Sequence, residues 1–133
     1  MAGEHVLIVD DDADLVSVLS IALESAGYRV SAAGNEAEGW SCAKADPPDV
    51  ALVDIMMDTF AAGIRLVQRF RADAELARVP VIVLTAVNER LRFHIDAERD
   101  EGYLPADRFL EKPVDPHVLL AHVAELVDPG CER

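Results

Sequence analysis

The chain is short of cysteine, of basic residues and of long apolar runs, and each shortage excludes something. Of its 133 residues two are cysteines, Cys42 and Cys131, far apart and in no metal-ligand spacing. They read as a small buried residue and a tail thiol, so no disulfide framework is expected, in keeping with a reducing compartment. Only 12 basic residues stand against 25 acidic ones, a net charge of −13. A surface of that sign repels phosphate backbones, so direct nucleic-acid binding is not expected. No apolar run approaches membrane-spanning length, and the N-terminus lacks the basic segment of a signal peptide. A soluble, cytoplasmic protein is the expectation. No repeat or low-complexity linker appears, which predicts one domain with its core over about 5–127 and a tail at 128–133.

Apolar residues are plentiful, at 51%, enough to bury a core. They fall in a recurring order. "HVLIV" (5–9), "VALV" (50–53) and "VPVIVLT" (79–85) are continuously apolar, as strands covered on both faces of a parallel sheet read. "YRVSAA" (28–33) and "RFLEK" (108–112) are more mixed and suit the sheet's two edges. Helical spacing lies between them. Leu15, Val18, Leu19 and Ala22 mark a first helix that Gly27 stops. Asn35 and Glu38 form an Asn-x-x-Glu start for a second, which "ADPPD" breaks. A third covers about 63–73 and a fourth lies within 88–100. The last runs from Pro116 to Val127, with Val118, Leu119, His122, Val123 and Leu126 on one stripe. Five β-α units predict an α/β, doubly wound, five-stranded parallel sheet with right-handed crossovers. In the flavodoxin-like order 2-1-3-4-5 its site belongs at the C-terminal strand ends, beside the switch point.

"VLIVDDDADL" (6–15) ends its apolar run on three carboxylates, Asp10, Asp11 and Asp12. Asp12 is placed to cap the first helix. Asp10 and Asp11 leave the first strand, and Asp54 leaves the third. In the order 2-1-3-4-5 these ends are neighbours, and three carboxylates converge on one cleft. Like charges so close repel. A hard divalent cation with oxygen ligands, Mg²⁺ above all, resolves the repulsion; the competing reading is a solvated loop. Thr85 ends the fourth strand with a hydroxyl and Lys112 ends the fifth with an ammonium. Together the four strand ends suit an anion held beside a metal, and phosphate is the natural one.

In these motifs, "VLIVDDD", "PDVALVDIMM", "VPVIVLTA" and "FLEKPV", the chain resembles the CheY-like receiver domain of two-component response regulators over about 5–127. The resemblance implies that Asp54 accepts a phosphoryl group from a histidine kinase or phosphotransfer protein. It implies that Asp10, Asp11, Asp54 and the backbone carbonyl of Met56 hold Mg²⁺. Thr85 and Lys112 then contact phosphoryl oxygens, Ala86 leaves room for the group to enter, and the Lys112–Pro113 peptide is cis. Phe109 takes the place of the switch aromatic, which turns inward when Thr85 moves. Such a domain is a phosphoacceptor, not a turnover enzyme. It signals to a downstream protein or a second copy, commonly through the face of the fourth helix, fifth strand and last helix.

Three features depart from the family's pattern. Asp58 replaces the usual Pro, Gly63 comes one residue late, and the segment from Thr85 to Lys112 is about five residues long in excess. Asp58 reads as a solvated loop acid, or as added charge at the metal site. Met56 and Val87 are apolar where a hydrolytic water would be oriented, which predicts slow self-dephosphorylation. His5, His94, His117 and His122 share no ligand spacing and read as structural or surface residues. Glu89, Arg90, Arg92, Asp96, Glu98 and Arg99 read as a solvated helix face or a partner surface. Two other functions stand beside the receiver. One is a phosphorylation-independent interaction module on the same fold. The other is a haloacid-dehalogenase-like phosphatase with Asp10 as nucleophile and Asp12 as acid/base, which leaves Asp54 without a use.

Overall fold

The computed structural model describes residues 4–55, 62–85 and 107–127. Strands β1 (His5–Val9), β2 (Arg29–Ala33), β3 (Val50–Asp54), β4 (Val81–Thr85) and β5 (Arg108–Glu111) pair in parallel in the order β2-β1-β3-β4-β5. The described helices are α1 (Ala13–Ser25), α2 (Glu36–Ala45), α3 (Ala62–Ala72) and α4 (Pro116–Val127). The doubly wound sheet read from the apolar runs is therefore present, with the two mixed segments at its edges. The helix expected within 88–100, and the tail at 128–133, lie outside the described residues.

Every residue of β1, β3 and β4 is buried, whereas β2 and β5 are partly exposed. Alternation along the strands divides the core in two. Leu7, Val9, Ala51, Val53, Val81 and Val83 pack towards α2 and α3 with Leu66, Val67 and Phe70. Val6, Ile8, Val50, Leu52, Ile82 and Leu84 pack towards α1 and α4 with Leu19, Leu23, Leu119 and Val123. Each of these Val, Leu, Ile and Phe side chains stabilises the fold by roughly 1.5–3 kcal/mol relative to exposure. Cys42 is half-buried against the first of these clusters, not fully enclosed.

Two stripes differ from expectation. Val18 is 50% exposed and Val118 45% exposed. The buried face of α1 is instead Leu15, Val16, Leu19 and Leu23, and that of α4 is Leu119, Leu120, Val123, Leu126 and Val127. Helical spacing permits either choice of neighbour, and packing on the sheet selects one.

The helix ends follow their side chains. The Asp12 carboxylate accepts from the N–H groups of Asp14 (3.1 Å) and Leu15 (3.2 Å) at the start of α1. Gly27, at φ 99°, takes the left-handed turn that ends it. Asn35 accepts from the N–H of Glu38 at 2.8 Å, but the Glu38 carboxylate reaches the N–H of Gly34, one residue before the cap. α2 ends at Ala45, ahead of Pro47 and Pro48. Arg71 joins the starts of β4 and β5: its guanidinium donates to the Val79 carbonyl (2.7 Å) and to Asp107 (3.0 Å). Asp107 in turn accepts from the Val81 N–H at 2.8 Å.

Candidate phosphoacceptor and metal site

The sheet register makes the site. Val9 pairs with Val53, so Asp10 follows β1 beside the point where β3 ends in Asp54. Asp54 pairs with Leu84, and Thr85, the last residue of β4, pairs with Glu111. Lys112 lies one residue past β5, and its N–H donates to the Thr85 carbonyl at 2.8 Å. Four strand ends thus deliver Asp10, Asp54, Thr85 and Lys112 to one mouth of the sheet.

Asp10 and Asp54 are each 3% exposed and Thr85 is fully buried, while Asp11 is exposed. One oxygen from each of Asp10, Asp11 and Asp54 lies within 4.8 Å of the others; no second such group of His, Cys, Asp or Glu occurs among the described residues. The Asp12 N–H donates to Asp10 Oδ1 at 2.9 Å and fixes that carboxylate. The Lys112 ammonium stands 3.1 Å from Asp10 Oδ2 and 3.2 Å from Asp54 Oδ2. Burial opposes the Lys112 charge, yet Asp54 and Asp10 together outweigh it and hold the ammonium above the ordinary lysine range.

One cation cannot balance three carboxylates. Asp10 Oδ2 is fully buried and, apart from its ion pair with Lys112, accepts no hydrogen bond. A buried lone pair of this kind, in an oxygen-only set beside an exposed third carboxylate, fits a hard divalent cation. An open groove of about 520 Å³ leads from Asp10 and Asp11 past Ser17 to Asn35 and Glu38.

The structure therefore brings Asp10, Asp11, Asp54, Thr85 and Lys112 together. Met56, Asp58, Ala86 and Val87 lie outside the described residues. Phe109, on β5, is 42% exposed, and the Lys112–Pro113 peptide is cis. Asp12 caps α1. His5 is buried, with Nε2 2.7 Å from Ser31 Oγ and its backbone N–H donating to Asp49 at 2.7 Å. His122 Nδ1 accepts from Arg108 at 2.8 Å. His117 is exposed, and His94 falls outside the described residues.

Gly63 had figured in the sequence only as a displaced glycine. In the fold it lies against the backbone of Asp54: a Cβ there would be 2.0 Å from the Asp54 carbonyl oxygen. A glycine nine residues past a strand-end carboxylate was the one available signal.

A parallel sheet of this order, with acids at the ends of β1 and β3 and a lysine after β5, defines a CheY-like class of α/β domain, and comparison with known proteins agrees. A model of the response regulator receiver domain matches residues 6–124. The phosphate regulon transcriptional regulatory protein PhoB of Pseudomonas aeruginosa is 32% identical over 123 residues, which are 92% of this chain and 51% of that protein. The chain spans about half the length of the curated relatives it matches. A CheY-like response regulator receiver domain protein of Methanospirillum hungatei superposes with a TM-score of 0.79 at 27% identity, covering 98% of both chains. The receiver domain of a sensor histidine kinase of Pseudomonas aeruginosa, solved with a magnesium ion coordinated in its active-site cleft, gives 0.80 at 25% identity over 95% of this chain and 98% of that one.

The chain belongs to the response regulator receiver domain family of two-component systems. Domains of this family are signalling domains that interact with histidine kinases or phosphotransfer proteins, rather than turnover enzymes. Among the described residues no helix is long and apolar enough to cross a membrane.

Proposed function

We propose that this chain is a phosphorylation-dependent switch whose phosphoacceptor is Asp54. The observation that carries the reading is the meeting of three carboxylate oxygens within 4.8 Å with one ammonium shared between two of them. A carboxylate must be ionised to attack, and Lys112 favours that form of Asp54. An Asp54 oxygen forms the new bond to phosphorus as the phosphorus–nitrogen bond of a phosphohistidine breaks. The imidazole leaves with the electron pair and takes up a proton.

Asp10, Asp11, Asp54 and the carbonyl of Met56 would hold Mg²⁺, which when bound neutralises charge on the transferring group. Lys112 pairs with a phosphoryl oxygen, and the Thr85 hydroxyl donates to another. Phe109 follows Thr85 inward and changes the surface that β5 shares with α4. That surface exposes Phe109 and Val118 today, and it meets a downstream protein or a second copy of the chain. A cytoplasmic place, on the kinase's side of the membrane, follows from this role. The phosphatase reading needs Asp12 as acid/base, whereas Asp12 is occupied as the cap of α1.

Phosphoramidate or acetyl phosphate with Mg²⁺, followed by intact mass, tests the reading. The wild type gains one phosphoryl group; Asp54→Ala, and wild type without Mg²⁺, gain none. A folded wild-type protein that gains nothing leaves the phosphorylation-independent module.

A further inference from the structure

Gly63 stands where α3 meets the end of β3, behind the strand-end side chains rather than among them. Its N–H donates to the Ile55 carbonyl at 2.8 Å. A Cβ built there falls 2.0 Å from the Asp54 carbonyl oxygen, 2.8 Å from the Asp54 carbonyl carbon and 2.8 Å from the Ile55 Cα. All three are backbone atoms of the strand end, and none can swing aside as a side-chain tip would. The first turn of α3 therefore rests on the peptide that carries Asp54. The Ile55 N–H donates to Leu84 of β4 at 3.1 Å, so the same peptide is held from the neighbouring strand as well.

We infer that Gly63 is a positioning residue for Asp54. Its missing side chain seats α3 on the Asp54–Ile55 peptide, and that seat sets the direction in which the Asp54 carboxylate leaves the sheet towards Lys112. The inference rests on the reading of Asp54 as phosphoacceptor. Gly39 supplies the contrast. It is also tightly packed, but its Cβ would meet side-chain atoms of Leu66 and Val9 at 3.0 Å. A methyl group at 39 presses on the core. A methyl group at 63 must shift the backbone under the reactive carboxylate or lift α3 from it.

The test compares Gly63→Ala with Gly39→Ala in three readouts: urea stability, metal-free ¹H–¹⁵N amide shifts, and the initial rate of phosphoryl uptake from saturating phosphoramidate. Gly63→Ala loses stability, whereas in Gly39→Ala the helix propensity gained offsets the pressure on Leu66 and Val9. Gly63→Ala alone slows uptake, on the order of 100-fold for a displacement near 1 Å, and alone moves the amide signals of Asp54, Ile55 and Thr85. Wild-type uptake in Gly63→Ala, or equal slowing in both, overturns the inference. A wild type that takes up no phosphoryl group refutes the reading of Asp54; the amide shifts then decide the placement alone. If Gly63→Ala does not fold, Ala62→Gly and Ala72→Gly replace it, since each loosens one end of α3, Ala62 at the buried end beside Asp54 and Ala72 at the exposed far end. Ala62→Gly then slows uptake several-fold and Ala72→Gly does not; equal rates overturn the inference.

Discussion

At the scale of single residues the site is a problem of charge. Asp10 and Asp54 are buried side by side, and Lys112 is the cation that both carboxylates meet. Removing that cation leaves two buried carboxylates face to face, so Lys112→Met destabilises the metal-free protein by about 2 kcal/mol. Asp11→Asn acts the other way. It keeps both Lys112 contacts, deletes one unit of like charge, and stabilises the metal-free protein by about 1 kcal/mol. Urea unfolding in a chelator checks the pair, and two changes of the same sign contradict the account. Asp10, Asp11, Asp54 and Lys112 were legible because each ends or follows a strand, the first three an apolar one and Lys112 the mixed edge strand, so that topology alone converges them. Gly63 was not, because its contacts are with the backbone of Asp54 and Ile55 and leave no trace in hydropathy. Nor was the split between Asp10 and Asp11, one buried and one exposed, since both follow the same strand.

At the scale of elements, caps and cross-links set the geometry. The Asp12 carboxylate satisfies two N–H groups of α1. Asp12→Ala therefore costs about 1 kcal/mol and leaves phosphoryl uptake intact, a pairing that separates it from Asp10 and Asp11. Helices α2 and α3 are joined along one seam, where the Arg69 guanidinium lies 4.2 Å over the ring of Trp40, the chain's one tryptophan. At its end Lys44 meets Glu75 at 2.7 Å and Asp73, just beyond α3, at 2.9 Å. The Lys44 hydrogen bond lowers the Asp73 carboxyl below its ordinary 3.8, so that contribution is present above this value and is lost as pH falls through the lower one. Glu75 first, then Asp73, raise the Lys44 ammonium above 10.5; that contribution is present below 10.5 and is lost as pH rises through the higher value. The stability advantage of wild type over Lys44→Ala is thus small, flat between these limits and falling at both ends. Trp40 fluorescence in urea measures it, and an advantage that grows towards either extreme contradicts the assignment. Strands and helix starts were legible from apolar runs and capping residues. The buried faces of α1 and α4 were less so, because adjacent helical positions compete and only the sheet decides. Glu38 shows the same limit: its spacing announced a capping pair, and its carboxylate instead bonds the N–H of Gly34.

At the scale of the whole molecule, one strand order converts scattered residues into a site. The carboxylates of Asp10 and Asp54 are 44 residues apart in sequence and adjacent only because β1 lies between β2 and β3. The net charge of −13 means that any cation screens the molecule, so a specific site must be separated from general screening. Mg²⁺ raises the melting temperature more than NaCl of equal ionic strength, and the excess disappears in Asp10→Asn; equal effects of the two salts contradict the metal site. Of the three carboxylates Asp54 alone is the last paired residue of its strand, opposite Leu84 of β4, whereas Asp10 and Asp11 follow β1; that Asp54 is the phosphoacceptor is the central claim. The most direct measurement is to phosphorylate the protein with phosphoramidate and Mg²⁺, reduce it with borohydride, and sequence the peptides by mass spectrometry. An acyl phosphate on aspartate is reduced to homoserine, so the account predicts homoserine at position 54 alone. Homoserine at position 10, 11 or 58, or none in a protein that has gained phosphate, would contradict it.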